Sequence, residues 1–333
     1  MKFYLCSLLF ALCSLAAVAD TGAFDMDRWG SVLENVRERA AAEKISVDTV
    51  DAVVKNAVLI PDVLYRDKNQ SEFKLTMNEY LRRTVSETRI REGRATRKKY
   101  PTLLRRTHEK YGIPPHVMLA FWGLESNYGK FKAQYRISDA YLTLIYDGRR
   151  EKFFGEQLVA LMKIADRGHV PIDGLRGSWA GAMGHFQFIP TTLVQYAVDG
   201  NNDGRIDIIN SESDAMFSAG NFLNKLGWET NGRIVRAVTV PAHFDTSLCD
   251  AKTKKTHAEW ALSGVIATDG GGLPGGAALV GIVCESMAES MELDEYGRRA
   301  AYLTYDNFYR IKKWNNSNLY AVAIALLAEW LKP

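Results

Sequence analysis

Apolar and polar residues recur at helical spacing through the first third of the chain. The segments RWGSVLENVRERAAAEK and EFKLTMNEYLRRTVSETRIREGRATRKKYPTLLRRTHEKYG carry apolar residues three and four positions apart, which predicts a helical region over residues 20–106. Their other positions are dense in Arg, Glu and Lys, and we interpret these faces as solvated helix surface. The sequence GIPP then ends one helix and begins the next, because Pro114 and Pro115 suit a first helical turn.

The pattern becomes strand-like after residue 228. The segments RIVRAVTV, AALVGIVCES and AAYLTYD alternate or are β-branched, and Gly-rich turns separate them, which predicts a small β-rich subdomain over residues 229–305. The last segment, NSNLYAVAIALLAEWL, is apolar on most faces and is expected to pack into the main core. The predicted fold class is therefore mainly α (α+β), with a small inserted β-rich subdomain.

The N-terminal residues predict an export signal, and the net charge argues against two classes of binding partner. Lys2, the apolar run FYLCSLLFALCSL and the small residues AVA before Asp20 predict a cleaved signal peptide over residues 1–19, and hence a periplasmic protein. A membrane anchor is the alternative, but the apolar run is short for a span. The formal net charge of +3 is too close to neutral to argue for nucleic acid or a membrane surface. We therefore expect no nucleic-acid partner and no stable membrane insertion.

Two of the four cysteines lie in the signal peptide, so Cys249 and Cys284 remain in the mature chain. In an exported protein two cysteines favour one disulfide that closes a moderate loop. The alternative is two separate buried thiols.

Glu125 is the main candidate for chemistry, because it ends the apolar run VMLAFWGL. Apolar surroundings are expected to raise the pKa of this carboxyl group, so that it could act as a general acid. The alternative is a glutamate at a helix end that reaches water or caps a neighbour. A glycosidase usually needs a second carboxylate roughly 5–9.5 Å away. Residues 177–198 contain none, and Asp139 and Asp147 lie in less apolar contexts.

Five segments carry a resemblance to a known family. They are YGIPPHVMLAFWGLESNYG, YDGRREKFF, GSWAGAMGHFQFIPTT, VDGNNDGRIDIINSESDA and YRIKKWNNSNLYAVAIALLAEWL. In order and in spacing they resemble the lytic murein transglycosylase B family. The resemblance implies a lysozyme-like catalytic core over residues 107–228, with a helical excursion near 131–170, and a C-terminal segment, 306–333, that returns to the core.

The resemblance also implies an activity. Such enzymes cleave the bond between N-acetylmuramic acid and N-acetylglucosamine in peptidoglycan without adding water, and they form a 1,6-anhydro ring. Glu125 would act first as the acid and then as the base, and the chemistry would need no cofactor. Peptidoglycan glycan strands would be the partner of a monomeric protein, which could also meet other cell-wall enzymes.

Further site residues follow from the resemblance alone. Ser178 and Gln187 match polar groups near the glutamate, and the alternative for Gln187 is a structural amide. The remaining positions match apolar lining (Met183, Phe188), residues returning from the C-terminal segment (Asn315, Tyr320) and an arginine pair that could hold a carboxylate of the substrate (Arg149, Arg150). Met183 and Phe188 could equally be plain core. Trp314 departs from the family pattern, which usually has tyrosine there.

The segment DGNNDGRIDIIN follows the spacing of a calcium-binding EF-hand loop. Position twelve, Asn210, replaces the usual glutamate, and the resemblance offers Asp214 as the closing carboxylate. The alternatives are an N-cap role for Asp214 and a turn without metal. The predicted ligands of a structural Ca²⁺ in the loop over residues 199–214 are Asp199, Asn201, Asp203, the Arg205 carbonyl and Asp214.

Two other functions remain open from the sequence. A hydrolytic muramidase would need a carboxylate such as Asp139 or Asp147 across from Glu125. A catalytically inactive peptidoglycan-binding protein would only grip the glycan.

Overall fold

The computed structural model describes residues 24–69, 75–268, 271–284 and 297–333. The predicted signal peptide, residues 1–19, lies outside the described residues. Within the described ranges, no helix has both the length and the apolar character that crossing a bilayer requires.

Helices form most of the described chain. In chain order they are α1 (Met26–Ala42), α2 (Val47–Val54), α3 (Pro61–Lys68), α4 (Met77–Thr84), α5 (Glu87–Lys99), α6 (Pro101–Tyr111), α7 (Pro115–Ser126), α8 (Ile137–Asp147), α9 (Glu151–Asp166), α10 (Pro190–Tyr196), α11 (Glu212–Lys225), α12 (His257–Leu262), α13 (Asp306–Trp314) and α14 (Asn318–Trp330).

The strands are short and antiparallel. They are β1 (Tyr135–Arg136), β2 (Arg176–Gly177), β3 (Val235–Pro241), β4 (Ile266–Ala267), β5 (Gly281–Cys284) and β6 (Arg298–Thr304). β1 pairs with β2, and the other four form a sheet in the order β4-β3-β6-β5. The predicted fold class, mainly helical with a small β-rich part, is confirmed.

The described residues divide into two compact units. The first lies within residues 1–70, 133–182 and 189–191, and in it α8 packs on α9 with α1, α2 and α3 around them. Asp166 at the end of α9 receives hydrogen bonds from Thr49 and from both the backbone and the hydroxyl of Ser46. The bonds from Thr49 and Ser46 hold the pKa of Asp166 below its usual value. One carboxylate thus anchors the start of α2.

The second unit lies within residues 71–132, 183–188 and 192–333. At its centre α7 packs against α14. Residues 117–123 of α7 and residues 320–325 of α14 are all buried, so both helices are apolar around most of their surface. This is why the C-terminal segment lies in the core beside α7 rather than on its surface.

The larger sheet has its own small core. Val238, Val240, Ile282 and Leu303 point into it together with Trp260, whose Nε1 donates to the Val280 carbonyl at 2.8 Å. A disulfide joins Cys249 to Cys284, with the two Cα atoms 5.1 Å apart. It ties a loop to the end of β5. The proposed domain boundaries at residues 106, 228 and 305 stay predictions.

Candidate active site

Glu125 lies in the last turn of α7 and is half-buried. The helix ends where Asn127 takes a left-handed backbone conformation, with φ of +49°. Asparagine is one of the few residues other than glycine that adopts this conformation readily. The helix end therefore leaves the Glu125 carboxylate at the boundary of the apolar core.

Two donors from the C-terminal segment meet on one oxygen of Glu125. Nε1 of Trp314 donates to Oε1 at 2.8 Å, and the hydroxyl of Tyr320 donates to the same atom at 2.5 Å. An oxygen that already accepts two hydrogen bonds is a poor place for a proton. A proton on this carboxyl group therefore belongs on Oε2.

Trp314 is held by a ring cluster. Its ring centroid lies 4.9 Å from that of Phe121, 5.4 Å from that of Phe188 and 4.9 Å from that of Phe222. Aromatic packing of this kind restricts the indole to one orientation. Trp314 was not among the predicted site residues, although its place directly before Asn315 and its departure from the pattern that the resemblance implies were available signals.

The predicted residues Asn315 and Tyr320 flank the turn between α13 and α14. Oδ1 of Asn315 accepts from the backbone N–H of Ser317, and the Ser317 hydroxyl caps α14 by accepting from the N–H of Tyr320. Tyr320 is 5% exposed, so it reaches Glu125 from within the core. Of this pair, Tyr320 forms a hydrogen bond with Glu125, while Asn315 shapes the turn.

Met183, Gln187 and Phe188 lie on one loop of the second unit. Met183 and Phe188 pair through their backbones and are 0% and 3% exposed, so their contacts are those of core residues. Gln187 has φ of +49°, and its Nε2 donates to the Gly184 carbonyl at 2.9 Å. Its amide is thus bonded to backbone, as the alternative for Gln187 expected.

His185 connects this loop to α7. The Ser126 hydroxyl donates to the His185 carbonyl at 2.6 Å, and Nε1 of Trp122 donates to Nδ1 of the imidazole at 3.1 Å. Burial lowers the pKa of His185, and the nearby Glu212 and Asp207 act in the opposite direction without offsetting it. The neutral imidazole is also the form that can accept from Trp122.

The other predicted contact residues belong to the first unit. The Ser178 hydroxyl accepts from the backbone N–H of Ala182 at 3.0 Å, which closes a turn. Arg149 and Arg150 both bind the buried carboxylate of Asp67, the second at 3.0 Å. Their guanidinium groups remain about half exposed. Asp67 could not be predicted from the sequence, because its position relative to the arginines depends on the fold.

Asp139 and Asp147, the carboxylates that a muramidase would need, have partners within the first unit. Asp139 binds Arg136 at 2.8 Å, and burial raises its pKa in spite of that arginine. Asp147 binds Arg149 at 3.0 Å.

The predicted calcium loop is closed by its own hydrogen bonds. Asp199 accepts backbone N–H groups of Asn202 and Gly204, at 2.6 and 2.8 Å. Asp214 is 0% exposed and accepts from Gly200 and Asp207. Among the described residues, no three His, Cys, Asp or Glu side chains are grouped as metal ligands.

Comparison with known proteins gives a family. The profile described as "Transglycosylase SLT domain" matches residues 28–329. The "Membrane-bound lytic murein transglycosylase B" of Escherichia coli (strain K12) is 29% identical over 257 residues. That match covers 75% of this chain and 66% of the relative, just under two thirds of the relative's length.

Solved structures agree in fold. SltB3 of Pseudomonas aeruginosa in complex with NAG-NAM-pentapeptide is 35% identical, with a TM-score of 0.80 over 90% of this chain and 79% of that one. The same protein in complex with NAG-anhNAM-pentapeptide gives a TM-score of 0.79, at 34% identity over 90% of this chain and 78% of that one. The Escherichia coli lytic transglycosylase SLT35 in complex with calcium is 24% identical, with a TM-score of 0.76 over 91% and 92% of the two chains. These structures have the lysozyme-like fold that the resemblance implied.

His185 makes the stability of the chain depend on pH. Its folded-state pKa lies below the ordinary value of 6.5, so the unfolded chain takes up the proton first as the pH falls. The free energy of unfolding should therefore fall as the pH drops below about 6.5, and should be independent of this group above it. We expect His185→Asn to make that fall shallower in urea titrations between about pH 5 and pH 8.

The exposed His243 offers a matched control, since His243→Asn also removes one histidine. The two other half-buried or buried histidines with lowered pKa, His116 and His257, should leave a residual slope in both variants. Equal slopes for His185→Asn and the unmodified chain would contradict the assignment.

Proposed function

Because the chain belongs to the transglycosylase SLT domain family, we propose that it cleaves peptidoglycan glycan strands without hydrolysis. The bond would be the β-1,4 linkage from N-acetylmuramic acid to N-acetylglucosamine, and the product would be a 1,6-anhydro-muramyl end. The similarity to the lytic murein transglycosylase B of Escherichia coli supports this activity, as do the two SltB3 complexes with peptidoglycan fragments.

The paired donors on Oε1 of Glu125 are the observation that carries the proposal. With Oε1 occupied, Oε2 carries the proton and passes it to the glycosidic oxygen as the bond from C1 to that oxygen breaks. The resulting carboxylate then takes the proton of the muramyl 6-hydroxyl while O6 bonds to C1. The proton that Glu125 gives in the first step is thus regained in the second, and no water is consumed.

Glu125 suffices in this scheme because the substrate supplies its own nucleophile. The neighbouring N-acetyl group of the sugar would stabilise the positive charge at C1. This agrees with the absence of a carboxylate from residues 177–198. A hydrolytic muramidase would instead need a second carboxylate, and Asp139 and Asp147 already bind arginines.

The surrounding contacts extend the proposal. Ser178, Gln187 and Asn315 would offer polar groups to the sugars, and the half-exposed sides of Arg149 and Arg150 would meet a carboxylate of the substrate. Met183 and Phe188 would support the site from the core. We also propose that the predicted signal peptide directs the protein to the periplasm, where its substrate lies.

The activity is tested by mass spectrometry of fragments that the mature protein releases from purified peptidoglycan sacculi. We expect muramyl ends that are each lighter than a reducing end by one water. Glu125→Gln keeps the shape of the side chain but removes the transferable proton, so this variant should release no such fragments.

Each other result has a definite meaning. Reducing muramyl ends would replace the proposal with a hydrolytic muramidase. If the unmodified protein releases no fragments, the proposed activity is wrong and the chain is a peptidoglycan-binding protein.

Trp314 and Tyr320 act as positioning residues for Glu125. Trp314→Phe keeps a ring in the aromatic cluster but removes the donor, and Tyr320→Phe does the same for the hydroxyl. Because a hydrogen bond to a charged group contributes about 1.5–3 kcal/mol, we expect each change to lower kcat about tenfold to hundredfold with little effect on KM.

A merely structural role would give a different result. Trp314→Tyr restores a donor and should recover part of the kcat that Trp314→Phe loses, with kcat measured at a temperature at which all three variants remain folded. A Trp314→Phe enzyme with the kcat of the unmodified protein would exclude the positioning role.

We propose in addition that the loop over residues 199–210 holds a structural Ca²⁺. Its oxygen donors suit a hard cation. The side chains would come from Asp199, Asn201 and Asp203, and Arg205 would add its carbonyl. Asp214 would anchor the loop from beneath, since it accepts the N–H groups of Gly200 and Asp207. The calcium complex of SLT35 supports the proposal, and the ion would take no part in the chemistry.

Thermal unfolding tests this site independently of activity. If the Kd is about 1 mM, as in weak calcium modules, then about 10 mM Ca²⁺ should stabilise the fold by about 1.4 kcal/mol. Mg²⁺ at the same concentration should do less, and Asp203→Asn should abolish the difference. An equal response to the two ions in the unmodified chain would exclude a calcium site.

A further inference from the structure

Positive charge is concentrated in one short part of the chain. Residues 82–110 contain eleven Lys or Arg and three Glu, a formal charge of +8 in a chain whose total is +3. This segment comprises the end of α4, all of α5 and most of α6. The near-neutral total therefore hides a strongly basic region.

Within this region the cations follow one face of α5. Arg91, Arg94 and Lys98 are three and four residues apart, a spacing that places their side chains on the same side of a helix. The opposite side is fixed in the core, because a Cβ at Gly93 would lie 2.4 Å from the Tyr128 hydroxyl. The basic face of α5 is thus held toward solvent by the packing of its other face.

These three cations line a groove of about 800 Å³ that also contains Trp330, the last residue of α14. We call it the α5 groove. Trp330 is 59% exposed, which is unusual for so large an apolar side chain. Nη2 of Arg94 donates to the Trp330 carbonyl at 3.2 Å and so joins the two walls.

The three cations of the α5 groove outnumber the one carboxylate in its lining, that of Glu87. Within the described residues, none of Arg91, Arg94 and Lys98 forms an ion pair, whereas Arg105 on the next helix binds Glu109 at 2.8 Å. Like charges at this spacing repel, so the arrangement destabilises the isolated helix. Anionic groups placed in the groove would relieve that repulsion.

The groove is separate from the site at Glu125. Trp330 follows Tyr320 by ten residues on the same helix, so the two side chains are about 15 Å apart along its axis. A ligand in the groove would therefore not occupy the position of the bond that is cleaved.

We propose that the α5 groove is a second binding surface for peptidoglycan, an inference that rests on the proposed function. The exposed ring of Trp330 offers a flat apolar face to a sugar ring, and Arg91, Arg94 and Lys98 bind free carboxylates of the stem peptides. A polymer held there keeps the enzyme on its substrate between cleavage events.

The shape of the groove favours a chain over a bilayer surface. A lipid surface is met by apolar side chains that project from the protein. Here Trp330 is accompanied by Val85 and Ile90, which are half-buried, and the walls are concave. A concave basic groove with one exposed ring fits a polymer that alternates sugars with carboxylates.

Co-sedimentation with purified sacculi tests the surface in a Glu125→Gln background, where no cleavage intervenes. We expect Arg91→Glu/Lys98→Glu to weaken binding about tenfold at low ionic strength, with the loss shrinking as salt screens the charges. Trp330→Ala should weaken binding at low and high salt alike. Arg82→Glu/Arg83→Glu is the matched control, because it changes the same charge at exposed positions of α4 outside the groove.

The same variants with Glu125 intact separate this surface from the active site. Turnover of a short soluble muropeptide should be unchanged, whereas release of fragments from sacculi should fall. If Arg91→Glu/Lys98→Glu sediments like the control pair, the proposal is overturned. It is also overturned if these residues govern binding to vesicles with anionic phospholipid but not to sacculi. Failure of the proposed function would appear differently, as a lack of anhydro ends from the unmodified enzyme.

Discussion

The hydrogen bonds from Trp314 and Tyr320 to one oxygen of Glu125 are the constraint on which the rest of the second unit depends. They join α7 to residues about 190 positions later in the chain. The donors reach Glu125 only because α14 packs along α7 in the core. The apolar character of both helices, the turn at Ser317 and the ring cluster around Trp314 all serve that one juxtaposition.

The loop that carries Gln187 is held by the same helix that carries Glu125. Trp122 and Ser126, on either side of Glu125 in sequence, both bind His185 on that loop. Ser126 also accepts from the backbone N–H of Gly129 at 2.9 Å and so shapes the helix end. The segment Glu-Ser-Asn therefore shapes the structure as well as carrying the carboxylate of Glu125. Its serine locates the loop and its asparagine turns the backbone.

Local pattern predicted the elements well, and the site only in part. The apolar run before Glu125, the strand-like segments after residue 228 and the pairing of Cys249 with Cys284 could be read from composition and spacing, because burial and backbone preference act locally. The ion pair of Arg149 with Asp67 and the hydrogen bond from Trp314 to Glu125 could not be predicted in this way. They link residues distant in sequence, and only the fold determines that distance.

Trp314 places an indole against Glu125, and the chemistry of the indole limits what this contact can do. A tyrosine hydroxyl can donate to a carboxylate or accept a proton from one, but the indole Nε1–H can only donate. With Trp314 fixed by Phe121, Phe188 and Phe222, Oε1 of Glu125 is committed to the role of acceptor. The hydroxyl of Tyr320 donates to the same oxygen at 2.5 Å. In the proposed reaction, a donor without acceptor capacity at Oε1 favours Oε2 as the oxygen that carries the proton.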